Sequence, residues 1–120
     1  MVEVVYKVCS SVEWSEARRN GVYRGSADDQ RDGFIHFSTA RQLRGTLDRH
    51  FSVAGGSGRP GLLLLAFHAA HLGPNLRWEP ARDGSLFPHL YGDLDPRNAL
   101  FEHPLDLDPS GRHILPGDLR

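Results

Sequence analysis

Leu62 to Phe67 is the longest run of consecutive apolar residues in this chain of 120 residues. Such a run is typical of a strand at the centre of a sheet, because other elements cover both of its faces. The run is far too short to cross a bilayer, for which a helix needs about 20 apolar residues. The chain is therefore expected to fold around one buried central strand.

Further strands are predicted on both sides of this run. Periodicity of two residues, bounded by turn residues, indicates them at Val2 to Val8, Gly33 to Ser38, Leu76 to Glu79, Leu86 to Gly92 and Ala99 to Leu105. Because most of these strands follow the helices along the chain, the class is α+β, with a small and mostly antiparallel sheet.

Two helices are predicted from capping boxes. One begins at Ser10 and ends at Asn20-Gly21, where glycine favours a helix end. The other begins at Thr39, with Gln42 at its third position. The polar segment from Val22 to Asp32 is predicted to be a surface loop.

Length and charge limit the class of protein. A chain of this length suits one domain, predicted over residues 1–107, and residues 108–120 are expected to form a flexible C-terminal tail. The net charge of −1 disfavours a nucleic-acid partner. The single cysteine, Cys9, excludes an internal disulfide and a multi-thiolate metal site. The N-terminus lacks a signal-peptide pattern, so a cytoplasmic protein without a membrane partner is expected.

The first candidate site is the strand that contains His36. Ile35 and Phe37 share one face of this strand, whereas Phe34, His36 and Ser38 share the other. His36 and Ser38 would both reach a small ligand, and the helix start at Thr39 would favour an anion. The alternative is a buried, hydrogen-bonded histidine beside a serine that only caps the helix.

The second candidate site is the segment from Leu86 to Gly92. Phe87, His89 and Tyr91 share one face if the segment is extended, and Pro88 implies an edge or a bend. These side chains would form a wall for a planar group. The alternative is an edge strand whose aromatic rings pack into the core.

Two charged residues complete the candidates drawn from the residues themselves. Glu79, next to Trp78, would stabilise a developing cation or act as a base, unless it is a solvated edge charge. Arg24 would hold a phosphate or carboxylate, unless it is a surface residue. His68 and His71 lack a nearby third ligand, so no metal site is expected.

The chain resembles a bacterial and plant family known as domain of unknown function 952. The resemblance runs from Tyr6 to about Pro104 and rests on segments that include Asp32 to Thr39, Leu76 to Glu79 and Phe87 to Gly92. The family has been grouped with the ADP-ribosyltransferase-like superfamily, in which a split and mostly antiparallel sheet holds NAD in a cleft. The resemblance therefore implies this fold and NAD as the ligand.

The superfamily pattern also implies roles for individual residues. Lys7 takes the first-strand position, His36 with Ser38 the middle one and His89 the late one, with Glu79 as the nearest carboxylate. In this scheme Tyr23 or Tyr91 stacks on nicotinamide, while His89 or Glu79 stabilises the oxocarbenium ion. The remaining expected ligand-binding residues are Arg24, Ser26, Thr39, Gln42 and Phe87.

The expected function is an NAD- or ADP-ribose-binding enzyme of the ADP-ribosyl transfer or NAD glycohydrolysis type. A sensor of a small anionic metabolite and a histidine-based hydrolase or isomerase are the alternatives. The two histidines, Arg24 and Lys7 would make the cleft cationic, with Glu79 as its only carboxylate. The partner is therefore expected to be a small, phosphate-bearing molecule.

Overall fold

The computed structural model describes residues 3–120 and contains two small antiparallel sheets with several helices. The strands in this range are β1 (Val4–Ser10), β2 (Ile35–His36), β3 (Leu62–His68), β4 (Leu76–Pro80), β5 (Leu86–Leu90) and β6 (Phe101–Pro104). The α-helices are α1 (Ser11–Asn20), α2 (Ala27–Asp32), α3 (Leu43–His50) and α4 (Ala69–Leu72). Short 3₁₀ turns lie at Ala40–Gln42, Gly73–Asn75 and Pro96–Asn98. The α+β class is confirmed.

Strand β3 lies at the centre of the first sheet, between β1 and β6. Leu65 and Phe67 pack with Trp14 of α1 on one face, and Leu64 and Ala66 pack with α3 on the other. These four strand residues are fully buried, as the continuous apolar run predicts.

The second sheet has the order β2-β5-β4. Its register places Ile35 opposite Leu90 and His36 opposite His89. Tyr6 of β1 and Ser38 exchange two backbone hydrogen bonds of 2.8 Å, which join the two sheets just beyond β2. The site residues of the second sheet are thus held beside the first.

The prediction of a surface loop from Val22 to Asp32 is wrong, because its second half is helix α2. The Ser26 side chain accepts from the Asp29 backbone N–H, and the Asp29 side chain accepts from the Ser26 N–H. Gly33 ends the helix in the left-handed conformation with φ of 88°. Five of the six residues of α2 are polar, so the helix has no apolar stripe and hydrophobic periodicity gives no signal for it.

Strand boundaries differ from the predictions by a few residues. Strand β1 extends to Ser10, and Val2 lies outside the described residues. Strand β2 covers only Ile35–His36 of the strand predicted from Gly33 to Ser38. Strand β6 is limited to Phe101–Pro104, shorter than the predicted Ala99 to Leu105.

The C-terminal segment, residues 108–120, lies against the domain. His113 is buried and its Nε2 lies 2.7 Å from the Arg59 carbonyl oxygen, while Arg44 Nη2 donates to the His113 carbonyl oxygen at 2.7 Å. Leu115 and Leu119 pack against the core on the α3 side. This segment therefore contributes side chains to the packed structure.

Among residues 3–120, the helices include none with the length and apolar character required to cross a membrane.

Candidate functional site

A cavity of about 110 Å³ opens between β1, α2, β2 and α3. Polar side chains form much of its wall, and Tyr6, Val8 and Phe51 supply apolar surface. The polar residues that line it are Lys7, Ser26, Asp28, Asp29, Arg31, Asp32, His36, Ser38, Thr46 and His50. Four of the predicted site residues, Lys7, Ser26, His36 and Ser38, are thus brought to one cavity.

Asp29 links the polar groups of this cavity and is only 2% exposed. Its Oδ2 accepts from Lys7 Nζ at 2.8 Å and from the Ser26 backbone N–H at 2.9 Å. Its Oδ1 lies 2.6 Å from His36 Nδ1 and accepts from the His36 backbone N–H at 3.1 Å. The carboxylate therefore has four partners, as a buried charge requires.

These contacts keep Asp29 ionised. Burial favours the neutral acid, but the hydrogen bond with His36 and the charge of Lys7 outweigh it and hold the pKa of this carboxyl well below its usual range. Lys7 is equally enclosed, and its ammonium is neutralised by Asp29. Lys7 thus lines the cavity with an ammonium group that is paired to Asp29.

His36 is placed between two carboxylates. Its Nδ1 faces Asp29, while its Nε2 lies 3.0 Å from Asp32 Oδ2. The His36 side chain is 39% exposed, so the ring is accessible from the cavity.

His89 of β5 is the cross-strand neighbour of His36 of β2, with 5.6 Å between the ring centroids. Its Nδ1 lies 2.8 Å from Glu79 Oε1, which also accepts from the Tyr91 hydroxyl at 2.6 Å. Hydrogen bonds from Tyr91 and His89 lower the pKa of Glu79, and the bond to Glu79 raises the pKa of Tyr91. Within residues 3–120, Nε2 of His89 has no hydrogen-bonding partner.

Phe34 joins the two histidines into one surface. Its ring stacks on His89 with a centroid distance of 4.0 Å, and it lies 4.5 Å from His36 and 5.3 Å from Tyr91. The alternation within the Gly33 to Ser38 segment predicts that Phe34 shares a face with His36. Phe34 is nevertheless absent from the predicted site residues, although this phase places it on the face opposite the core candidates Ile35 and Phe37.

Several predicted ligand-binding residues form hydrogen bonds within the protein. Ser38 is buried, and its Oγ lies 2.7 Å from Thr46 Oγ1 at the cavity wall. Thr39 and Gln42 form the predicted capping box, and Gln42 Nε2 also donates to the Leu86 carbonyl oxygen at 2.7 Å. Thr39 and Gln42 are not among the residues that line the cavity beside His36.

Two predicted ligand-binding residues, Tyr23 and Arg24, lie elsewhere. Tyr23 is 3% exposed and packs edge-on against Trp14 in the core, so its ring has no face free for nicotinamide. Burial raises the pKa of its hydroxyl. The Arg24 side chain is exposed, 3.7 Å from Asp93, and does not line the cavity.

Phe87, another predicted ligand-binding residue, is half-buried in β5, opposite Glu79 in the register.

The prediction of a cationic cleft with one carboxylate is wrong. Asp28, Asp29 and Asp32 all line the cavity, against the permanent cations Lys7 and Arg31. The error follows from the missed helix α2. The segment is predicted to be a surface loop, and a loop gives no reason to expect the aspartates of this segment to face His36. Asp29 does carry a sequence signal, because Ser26-x-x-Asp29 is a capping-box pattern.

No group of three or more His, Cys, Asp or Glu side chains in residues 3–120 is arranged to hold a metal ion. The structure offers the two histidine–carboxylate pairs and the aromatic surface between them for chemistry.

Comparison with known proteins places the chain in a family. The model of the family described as "Protein of unknown function (DUF952)" matches residues 8–101. The chain belongs to the DUF952 family. No curated protein matches it at a significant level.

Solved DUF952-like structures support the fold. The crystal structure of protein CC0527 from Caulobacter crescentus is 41% identical, with a TM-score of 0.85, covering 93% of this chain and 94% of that one. The solution NMR structure of the same protein is 42% identical, with a TM-score of 0.77, covering 90% of this chain and 89% of that one. The DUF952 segment contains Asp29, His36, Glu79 and His89, whereas Lys7 lies one residue before it.

Proposed function

We propose that this DUF952 protein is an acid–base enzyme, a hydrolase or isomerase, that acts on a small polar molecule. The observation that carries this proposal is the pair of imidazoles, His36 and His89, 5.6 Å apart on one face of the sheet. Each has its Nδ1 beside a carboxylate oxygen, at 2.6 Å from Asp29 and 2.8 Å from Glu79. Carboxylates at this position fix the orientation and the proton of a catalytic imidazole.

The surroundings of the two rings assign them different roles. His36 faces a carboxylate at each nitrogen, and we assign this ring the role of general acid. Within residues 3–120, His89 faces a carboxylate only at Nδ1, and we assign its Nε2 the role of general base. Two neighbouring imidazoles, one to donate a proton and one to accept it, are an arrangement that acid–base catalysis uses.

The dimensions of the cavity limit the substrate. Its volume of about 110 Å³ lies below the range of roughly 300–1,000 Å³ that pockets for drug-sized ligands occupy. His36 lines this cavity and His89 does not, so the cavity accepts one end of a small molecule whose reacting part extends past His36 toward His89. Ser38 and Thr46 provide hydroxyls at its wall that pair with a polar substrate.

A second candidate function is cleavage of NAD or transfer of ADP-ribose, on the fold of an ADP-ribosyltransferase. The aromatic surface of Phe34, His89 and Tyr91 favours it, because a nicotinamide ring would stack there beside Glu79. Glu79 would then stabilise the oxocarbenium ion as the glycosidic bond breaks, with His36 and Ser38 near the ribose hydroxyls. The superfamily grouping that the resemblance to DUF952 implies favours the same proposal.

The experiment compares chemistry on three kinds of substrate. Small chromogenic esters report hydrolysis, small ketones in deuterium oxide report α-proton exchange by NMR, and NAD reports nicotinamide release. The variants His36→Gln and His89→Gln are each compared with His71→Gln, whose side chain is exposed and outside the cavity.

The acid–base proposal expects a bell-shaped pH profile on esters or ketones. Both site variants should lose activity by about 100-fold or more, whereas His71→Gln should retain it. Turnover that is equal in all three variants would refute it. Nicotinamide release would establish the NAD reaction, and a rise in Tm with NAD or ADP-ribose without cleavage would indicate a sensor.

A further inference from the structure

The carboxylate of Asp32 lies between the side chains of Arg31 and His36 at the mouth of the cavity. Arg31 contacts both of its oxygens, with Nε 3.0 Å from Oδ1 and Nη2 3.5 Å from Oδ2. Nε2 of His36 lies 3.0 Å from the same Oδ2. A guanidinium edge against two oxygens, with a further N–H donor on one of them, is the geometry by which proteins recognise carboxylates.

We propose that Arg31 and His36 form a carboxylate-binding subsite, which the side chain of Asp32 occupies in this structure as an internal ligand. The molecule that it accepts is a small carboxylic acid in its anionic form. This inference rests on the proposed function only in using the same cavity, and it names the substrate class of that site.

Asp32 differs from its neighbour Asp29 in how firmly it is held. The four partners of Asp29 and its 2% exposure fix that carboxylate in the fold. The Asp32 side chain is 34% exposed and, among residues 3–120, makes hydrogen bonds or ion pairs only with Arg31 and His36. Because exposed ion pairs contribute little to stability, rotation of the Asp32 side chain toward solvent costs little.

The position of Asp32 in the chain also permits this rotation. It is the last residue of α2, and Gly33 follows in the left-handed conformation with φ of 88°. Movement of the side chain leaves the hydrogen bond from the Gly33 N–H to the Asp29 carbonyl oxygen intact. Arg31 and His36 are then free to receive another carboxylate.

The charges around the subsite favour a monoanion. Asp28 also contacts Arg31, at 3.2 Å from Nη1, and Asp29 lies on the other side of the His36 ring. A phosphate dianion would meet stronger repulsion from these two carboxylates than a singly charged carboxylate would. Val8 and Phe51 of the cavity wall provide apolar surface for the carbon end of the acid.

The test replaces the internal ligand and supplies an external one. Asp32→Ala removes the carboxylate, and Asp28→Ala is the matched control because it removes an Arg31 partner that does not contact His36. The ring signals of His36 are followed by ¹H–¹⁵N NMR as sodium acetate replaces sodium chloride at constant ionic strength. Parallel titrations use inorganic phosphate.

Asp32→Ala should bind acetate at least about tenfold more tightly than wild type or Asp28→Ala, because the competing internal carboxylate is gone. Bound acetate should return the His36 signals toward their wild-type positions. Adding Arg31→Gln to Asp32→Ala should abolish this response. If Asp32→Ala unfolds, Asp32→Asn tests the same loss of charge with the side-chain volume kept.

Equal acetate affinity in Asp32→Ala and Asp28→Ala would overturn the subsite. Phosphate binding as tight as that of acetate would overturn the assignment to carboxylates. The readout is independent of turnover, so acetate binding without catalysis would refute only the proposed enzyme function. Catalysis that depends on His36, without acetate binding, would refute only the subsite.

Discussion

Nδ1 of His36 lies 2.6 Å from Oδ1 of Asp29, a buried residue seven positions earlier in the chain. The other oxygen of the same carboxylate holds the ammonium of Lys7 at 2.8 Å. The orientation of the partly exposed imidazole is therefore set by a charge pair inside the domain. Changes at Asp29 and Lys7 should affect stability and the geometry of His36 together.

Asp29→Asn should lower the free energy of unfolding by about 3–5 kcal/mol, because it leaves the buried Lys7 ammonium without its counter-charge. Lys7→Met should cost less, about 1–3 kcal/mol, since Asp29 keeps its contacts with Ser26 and His36. Urea unfolding followed by fluorescence measures both values. The exposed Asp93→Asn is the control, with a change within about 0.5 kcal/mol. A larger loss for Lys7→Met than for Asp29→Asn would contradict this account.

The ion pair also predicts how stability depends on pH. The native pKa of Asp29 lies below its unfolded value of about 3.9, so the native state binds this proton less readily than the unfolded state. The resulting stabilisation is complete above the unfolded pKa and is lost as the pH falls from about 4 toward the native pKa. Urea midpoints between pH 6 and pH 2 should therefore fall more steeply for wild type than for Asp29→Asn. Parallel curves would show that Asp29 is not the responsible group.

The sequence predicts the parts of the fold that hydrophobic pattern and helix caps determine. Leu62 to Phe67 marks the central strand, and Ser10 with Gly21 marks both ends of α1. The phase of the Gly33 to Ser38 segment places Ile35 in the core and His36 on the opposite face. Each of these features depends on residues close together in the chain.

The partners of His36 depend on tertiary structure. Lys7 and Asp29 are 22 positions apart and meet only because α2 packs beside β1, which no local pattern indicates. The cationic-cleft prediction counts basic residues without their counter-charges and therefore gives the cavity the wrong electrostatic character. Tyr23 also depends on tertiary structure. It lies in a polar segment and is predicted to bind a ligand, but its ring turns inward and packs on Trp14.

His36→Ala should be less damaging to the fold than Phe37→Ala. Phe37 is buried and packs edge-on against Phe67, so truncation should cost about 3–5 kcal/mol. His36 is partly exposed and loses mainly its contacts with Asp29 and Asp32, so the cost should be about 1–2 kcal/mol. Urea unfolding of the two variants compares these costs directly. Equal destabilisation would show that His36 serves mainly to hold the fold together.

Cys9 should be inert in the native protein although it is the only cysteine of the chain. Burial raises the pKa of its thiol to about 12, so almost no thiolate is present near neutral pH. An aromatic disulfide reagent at pH 8 should therefore react with one thiol per chain in urea and with almost none in buffer. Rapid reaction of the native protein would contradict the burial of this strand.

Glu79→Gln should make the Tyr91 hydroxyl more acidic. The phenol donates to Glu79 at 2.6 Å, and this hydrogen bond holds the pKa of Tyr91 above its ordinary value. A glutamine amide carries no charge to oppose the phenolate and donates a hydrogen bond to it, so the pKa should fall. An ultraviolet titration of phenolate absorbance measures the shift, and Tyr91→Phe identifies the step that belongs to this residue. Glu16→Gln, on the exposed surface of α1, should leave the titration unchanged. A Tyr91 step at the same pH with glutamate or glutamine at position 79 would show that the bond is absent in solution.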